Sequence, residues 1–208
     1  MDSLVLELQR DALDKDVEIT FLLRKALLVS RKLKIKDIQE WIGSELNGYE
    51  YDKVPEYRKI TGEIKAFNPY RGWISVDVDR TAKEVFCRRN VSLGVSQVES
   101  LIVGSSDGYF SMNYSPEQAR FLMDSMGEDF KPILQAALHQ LVRIIDTIRT
   151  KVLEFALDLE EKGILGEGIS FSKDEQVLAQ SITYNTINIH RMDNSQLQQA
   201  SSESEQLQ

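Results

Sequence analysis

The sequence predicts an α+β protein with an N-terminal three-helix unit, a small antiparallel sheet containing a 57–79 hairpin, a long C-terminal amphipathic helix and a polar tail. Three observations carry this. Apolar residues recur at helical intervals from Val5 to Leu46, alternation replaces them from Tyr57, and a 4-3 spacing of large apolar side chains runs from Leu134 to Leu159. At 208 residues and 42% hydrophobic, the chain is long enough to bury a core without a disulfide. Its single cysteine, Cys87, has no partner for an internal bridge and reads as a buried or half-buried thiol.

Val5, Leu8 and Ala12 share one face of a first helix, which Asp14 and Asp16 close in a polar turn. A second helix is expected from an N-capping Thr20 to Leu33, with Leu23, Ala26, Leu27 and Leu33 inward. A third runs from about Asp37 to Leu46 on the stripe Ile38, Trp41, Ile42 and Leu46, and Asn47-Gly48 suits its left-handed stop. From Tyr57 the pattern has period two: Ile60, Gly62, Ile64 and Ala66 on one side, Arg58, Thr61, Glu63 and Lys65 on the other. Asn68-Pro69-Tyr70-Arg71-Gly72 is a turn, and Trp73, Ile74, Val76 and Val78 form the returning strand. Short helices are expected over 81–89 and 96–103 and a third strand over 109–114. Ser115-Pro116-Glu117 starts a further helix, with a capping serine ahead of proline.

A long helix is expected over about 131–162, on which Leu134, Leu138, Leu141, Ile145, Ile148, Val152, Phe155 and Leu159 make a heptad seam. Val142, Ile144, Leu153, Ala156 and Leu157 widen the apolar surface beyond a two-stranded seam. The helix therefore either packs on the first three as a bundle or pairs between copies. Gly163, Gly166 and Gly168 follow a helix, whereas a dinucleotide fingerprint follows a strand, so they read as a helix-stop turn. Two segments result, a domain over 1–168 and an Asn-, Gln- and Ser-rich tail over 169–208. That tail is either disordered or assembled as stacked β-structure through formers such as Ile187 and Ile189.

No stretch approaches the roughly 20 apolar residues of a membrane span. The opening MDSLVLELQRDALD has acidic residues where an export signal would carry positive charge, which points to a cytoplasmic protein. The formal net charge is −8, which argues against nucleic-acid binding by the whole molecule. Only residues 51–90 are net basic, with 9 basic against 6 acidic side chains. Arg58, Lys59, Arg71, Arg80, Arg88 and Arg89 there read as solvated charge or as a local anion patch.

No catalytic motif is present, so no cofactor is expected. His139 and His190 have no serine, cysteine and acid in motif order, and no nucleophilic triad is visible. Asp77 and Asp79 could share a divalent cation with Glu63 across the hairpin, although the wet face of an antiparallel sheet accounts for them, and no metal site is assigned. The best binding candidates are Asn68, Tyr70, Arg71 and Trp73, with Tyr57 and Arg58 near the other end of the hairpin. They combine a planar cationic donor with aromatic stacking faces.

LVLELQRDALD from Leu4, LLRKAL from Leu22, EWIGSELNGY from Glu40 and VPEYRKITGEIKAFNPYRGW from Val54 together resemble the AbiTii domain of bacterial abortive-infection proteins. IDTIRTKVLEFALDLEEKGILGEG from Ile144 and the tail NSQLQQ are similar to segments that accompany it. The resemblance implies bacteriophage resistance and supplies no catalytic residues. The expected function is a non-enzymatic defence module, a homo-oligomer assembled through the long helix or the tail, with a partner defence protein as a further possibility. The alternatives are a toxin enzyme acting on nucleic acid or nucleotides, with Arg71 and Trp73 at its site, and an adaptor or antitoxin for a neighbouring effector.

Overall fold

The computed structural model describes residues 3–182 and 184. Its elements in order are α1 (Leu4–Leu13), α2 (Ile19–Leu33), α3 (Lys36–Asn47), β1 (Lys59–Thr61), β2 (Glu63–Asn68), β3 (Gly72–Ser75), α4 (Arg80–Phe86), β4 (Arg88–Asn90), α5 (Val95–Gly104), β5 (Tyr109–Asn113), α6 (Pro116–Met126), β6 (Pro132–Ala137), α7 (His139–Glu161) and α8 (Lys173–Ser181). The fold class is α+β, combining helices with two small antiparallel sheets. The chain divides into two compact units. One holds residues 1–48 and 145–208, and the other holds 49–144.

The first unit is helical, and its core is supplied by the amphipathic stripes. Val5 and Leu8 of α1, Leu22, Leu23, Ala26, Val29 and Leu33 of α2, Ile38 and Ile42 of α3, and Ile148, Val152, Phe155 and Leu159 of α7 are all fully buried. α2 begins two residues earlier than the Thr20 cap requires, with Glu18 at its N-cap. At the end of α3 the buried position is Glu45 and not Leu46. Lys25 of α2 fastens α1, with Nζ 2.5 Å from Asp11 and 3.4 Å from Glu7, and it also sits over the Phe21 ring. Burial lowers the Lys151 pKa, while Glu154 and Glu45 oppose that shift.

Two expectations for the C-terminal half are corrected here. The helix expected over 131–162 starts only at His139, because Pro132–Ala137 form β6. Leu134 therefore sits on a strand and Leu138 in the turn that follows, and their place in the 4-3 spacing is fortuitous. β6 lies between β2 and β5 and bonds to both, a tertiary gain that local helical spacing does not register. Leu141, Ile148, Val152, Phe155 and Leu159 do lie on the helix. They are fully buried within the single chain, and Ile145 is half-buried. The second correction concerns the domain boundary at 168. Residues 173–181 fold as α8, capped by Ser172, and pack on α2. Ala179 and Tyr184 are buried, with Tyr184 edge-on to Phe155. Burial raises the Tyr184 hydroxyl pKa. Ile187, Ile189 and His190 lie outside the described residues.

The second unit is built on a four-stranded sheet of order β3-β2-β6-β5, antiparallel throughout, beside a two-stranded β1-β4 pair. Ile64, Leu134, Phe86, Tyr114 and Leu122 form the core against one sheet face. Tyr114 donates to the Phe86 carbonyl at 2.9 Å, and burial raises its pKa. Between β1 and β2 the chain passes so close to β6 that a Cβ at Gly62 would stand 2.5 Å from the Gln135 carbonyl oxygen. At the same point Gln140 of α7 takes the place of a neighbouring strand. Its amide donates to the Thr61 carbonyl at 2.7 Å and accepts from the Thr61 N–H at 2.9 Å.

Candidate functional site

The expected hairpin is present, with β2 and β3 paired from Lys65↔Ser75 to Asn68↔Gly72. Asn68 fixes the turn, since its Oδ1 accepts from the N–H of Tyr70 at 2.8 Å and of Arg71 at 3.2 Å. Gly72 then takes φ 74°, which an L side chain resists. β3 ends at Ser75, short of the strand expected to Val78.

On a pleated strand alternate residues share a face. Ile64 and Ala66 face the core, so Lys65, Phe67, Trp73 and Ser75 stand on the opposite, open face. Phe67 and Trp73 lie directly across from each other with ring centroids 5.4 Å apart, edge to face. Trp73 remains 55% exposed, Phe67 48% and Tyr70, at the tip, 96%. Lys65 secures the polar end of the face, donating to Ser75 Oγ at 2.7 Å and pairing with Glu63 at 2.9 Å. A rigid turn thus presents three aromatic rings and the exposed Arg71 to solvent.

Tyr57 and Arg58 do not join this cluster, which corrects the expected six-residue site. Arg58 is fully buried. It donates to the carbonyls of Val91 at 3.2 Å and Leu93 at 2.7 Å and stacks on Tyr49 at 5.2 Å, which is structural service. Tyr57 is half-buried in the short turn of 3₁₀-helix Glu56–Arg58. The expected anion patch is likewise dispersed. Arg89 is buried, bonded to Gln118 and stacked on Tyr114, while Lys59 is paired with Glu56.

A groove of about 650 Å³ opens beside the hairpin base, lined by Val76, Asp77, Arg80, Lys83, Cys87 and Arg88 among others. Its cations are largely matched. Lys83 meets Asp77 at 2.7 Å, lowering the carboxyl pKa and raising that of the amine, and Arg80 is 3.8 Å from Glu84. Cys87 is half-buried, and burial raises its pKa against the pull of Lys83, so at neutral pH the thiol is protonated. The three carboxylates considered for a cation are separately engaged. Asp77 holds Lys83, Glu63 holds Lys65, and Asp79 caps α4 through the Ala82 N–H at 2.8 Å. Among the described residues no cluster of three His, Cys, Asp or Glu side chains is placed to hold a metal ion, and no helix is long and apolar enough to cross a membrane.

The glycine-rich segment after α7 is a helix stop. Gly163 has φ 72°, and its N–H bonds to Glu160 while that of Ile164 bonds to Leu159. The loop also resembles an anion cradle with its own occupant. The Glu175 carboxylate accepts from the N–H groups of Leu165 at 3.2 Å, Gly166 at 2.8 Å and Ser172 at 2.8 Å, and from the Ser172 hydroxyl at 2.9 Å. Burial works to raise the Glu175 pKa, but these bonds outweigh it and the net shift is downward. Ser172-x-x-Glu175 is a legible capping box. Its bonds to Leu165 and Gly166 depend on tertiary folding and leave no local signal.

The fold is α+β, and its second unit carries an exposed aromatic hairpin. The chain belongs to the AbiTii family, whose model matches residues 3–184. The family name places it with abortive infection, the bacterial defence against phage. Neither the curated proteins nor the solved structures contain a match to it.

Proposed function

We propose that the protein serves phage defence as a non-enzymatic module that acts by binding and self-association, and that the β2–β3 hairpin is its contact surface. The observation that carries this reading is the Phe67, Tyr70 and Trp73 cluster, held exposed on a turn that Asn68 makes rigid. Aromatic side chains beside an arginine are the residue types that anchor protein contacts. The α7 seam supports association less well, because its large side chains are buried in the chain itself. The test is plating efficiency of phage on cells carrying the wild type or a Tyr70→Ala/Trp73→Ala variant. Loss of protection with an unchanged thermal melt supports the reading, and full protection by the variant overturns it.

A second reading, a toxin enzyme acting on nucleotides, draws on the groove, where Arg80, Lys83 and Arg88 stand near the Cys87 thiol. Under it, Arg80→Ala/Arg88→Ala abolishes protection while the hairpin variant does not.

A further inference from the structure

Within the sheet, β3 pairs with β2 on one side only, and among the described residues no strand covers its outer edge. The Val76 N–H bonds to the Ile64 carbonyl. In an antiparallel pair bonded and non-bonded positions alternate, so Ile74 is also turned toward β2. The N–H and C=O groups of Trp73 and Ser75 are therefore directed at the open edge. Such a row is a template for one more strand.

We propose that the strand it takes is β3 of a second copy, paired antiparallel about a two-fold axis at Ile74, so that two four-stranded sheets become one. This deepens, and rests on, the reading of the hairpin as a self-association surface. In this register Trp73 of each copy lies opposite Ser75 of the other, and the two residues exchange backbone hydrogen bonds because both already face outward. Arg71 lies three residues before the axis and Asp77 three residues after it. The same register, extended past the ends of β3 at Gly72 and Ser75, brings Arg71 of each copy opposite Asp77 of the other, giving two opposite-charge pairs related by symmetry.

The charges are available for this. Arg71 is exposed and has no ion-pair partner among the described residues. Lys83 holds Asp77 through one carboxylate oxygen, and the Asp77 side chain stays 89% exposed. Trp73 stands within the new pairing on the open face and would lose water there, with Phe67 behind it on β2. The opposite edge strand, β5, has no such match. About its centre at Ser111, a two-fold pairing sets Asp107 against Ser115 and Gly108 against Tyr114.

The test is sedimentation velocity on the full 208-residue chain across a wide concentration range. The wild type is expected to be dimeric, and Ser75→Pro monomeric. That proline removes an outward N–H and leaves the backbone bonds to β2 in place, at the loss of the Lys65 bond to Ser75 Oγ. Arg71→Asp and Asp77→Arg should each weaken the dimer by about tenfold or more by creating like-charge pairs, and the Arg71→Asp/Asp77→Arg double variant should restore it. The rescue decides the matter even where Ser75→Pro fails to fold. A wild type monomeric at every concentration overturns the proposal, as does a dimer indifferent to all these changes or a double variant no better than either single one. If the wild type is monomeric while Tyr70→Ala/Trp73→Ala still loses protection, the hairpin contacts a different protein. The self-pairing then fails while the hairpin remains a contact surface.

Discussion

Arg149, midway along α7, donates to the Val17 carbonyl at 2.6 Å. The same guanidinium reaches the carbonyls of Asp14 at 2.8 Å and Asp11 at 3.3 Å. These oxygens lie at the C-terminal end of α1 and in the turn beyond it, where helix carbonyls have no intrahelical donor and a cation is favoured. One side chain on α7 thereby closes the α1–α2 connection.

Arg149→Met should accordingly lower stability by about 2 kcal/mol, the cost of leaving partly buried carbonyls without a charged donor. Arg149→Lys should recover only part of it, since an ammonium lacks the planar fork that reaches several oxygens. Urea denaturation measures both.

Arg58 and Arg71 should respond in opposite ways. Arg58→Met strands the Val91 and Leu93 carbonyls in a fully buried site and is expected to cost about 3 kcal/mol. Protection in that variant should fall only as far as its folded fraction falls. Arg71→Ala should leave the thermal melt unchanged and reduce association. Parallel melts and sedimentation runs on the two variants separate the effects.

Glu175 gives the helical unit a pH dependence of defined sign. Its folded pKa is held down, so its contribution is fully present above the unfolded glutamate value of about 4.3. That contribution is lost as pH falls below that value and through the folded pKa. Glu175→Gln should cost about 1 kcal/mol at neutral pH, allowing for solvent screening at a partly exposed site. It should also flatten the stability profile on the acid side. Denaturant midpoints from pH 7 downward check this, and a slope identical to that of the wild type would remove Glu175 from the account.

Where residues interact with near neighbours, the sequence was informative. The stripes of the first three helices, the Asn68-to-Gly72 turn and the Ser115-Pro116 helix start all depend on local periodicity or capping. β6 was illegible for a physical reason: PILQAA flows into a real helix at His139, and Leu134 keeps the helical spacing by coincidence, while its actual partners, Ile64 and Met112, are distant in sequence. Arg58 was misplaced because an arginine beside a tyrosine looks the same in a sequence whether it faces solvent or is buried against carbonyls. The separation of Asp77 and Asp79 from the sheet was missed because Val76 and Val78 prolong the alternation past Ser75, where pairing stops. Phe67 escaped the expected site although alternation places it on the same face as Trp73, and the register supplies the missing step.

The most direct test of the central claim, that the hairpin acts in defence by contact between copies, is phage plating on cells carrying Arg71→Asp, Asp77→Arg or both at equal expression. The account predicts that each single variant loses protection and that the double variant regains it. Equal protection by all three, or no recovery in the double variant, would contradict it.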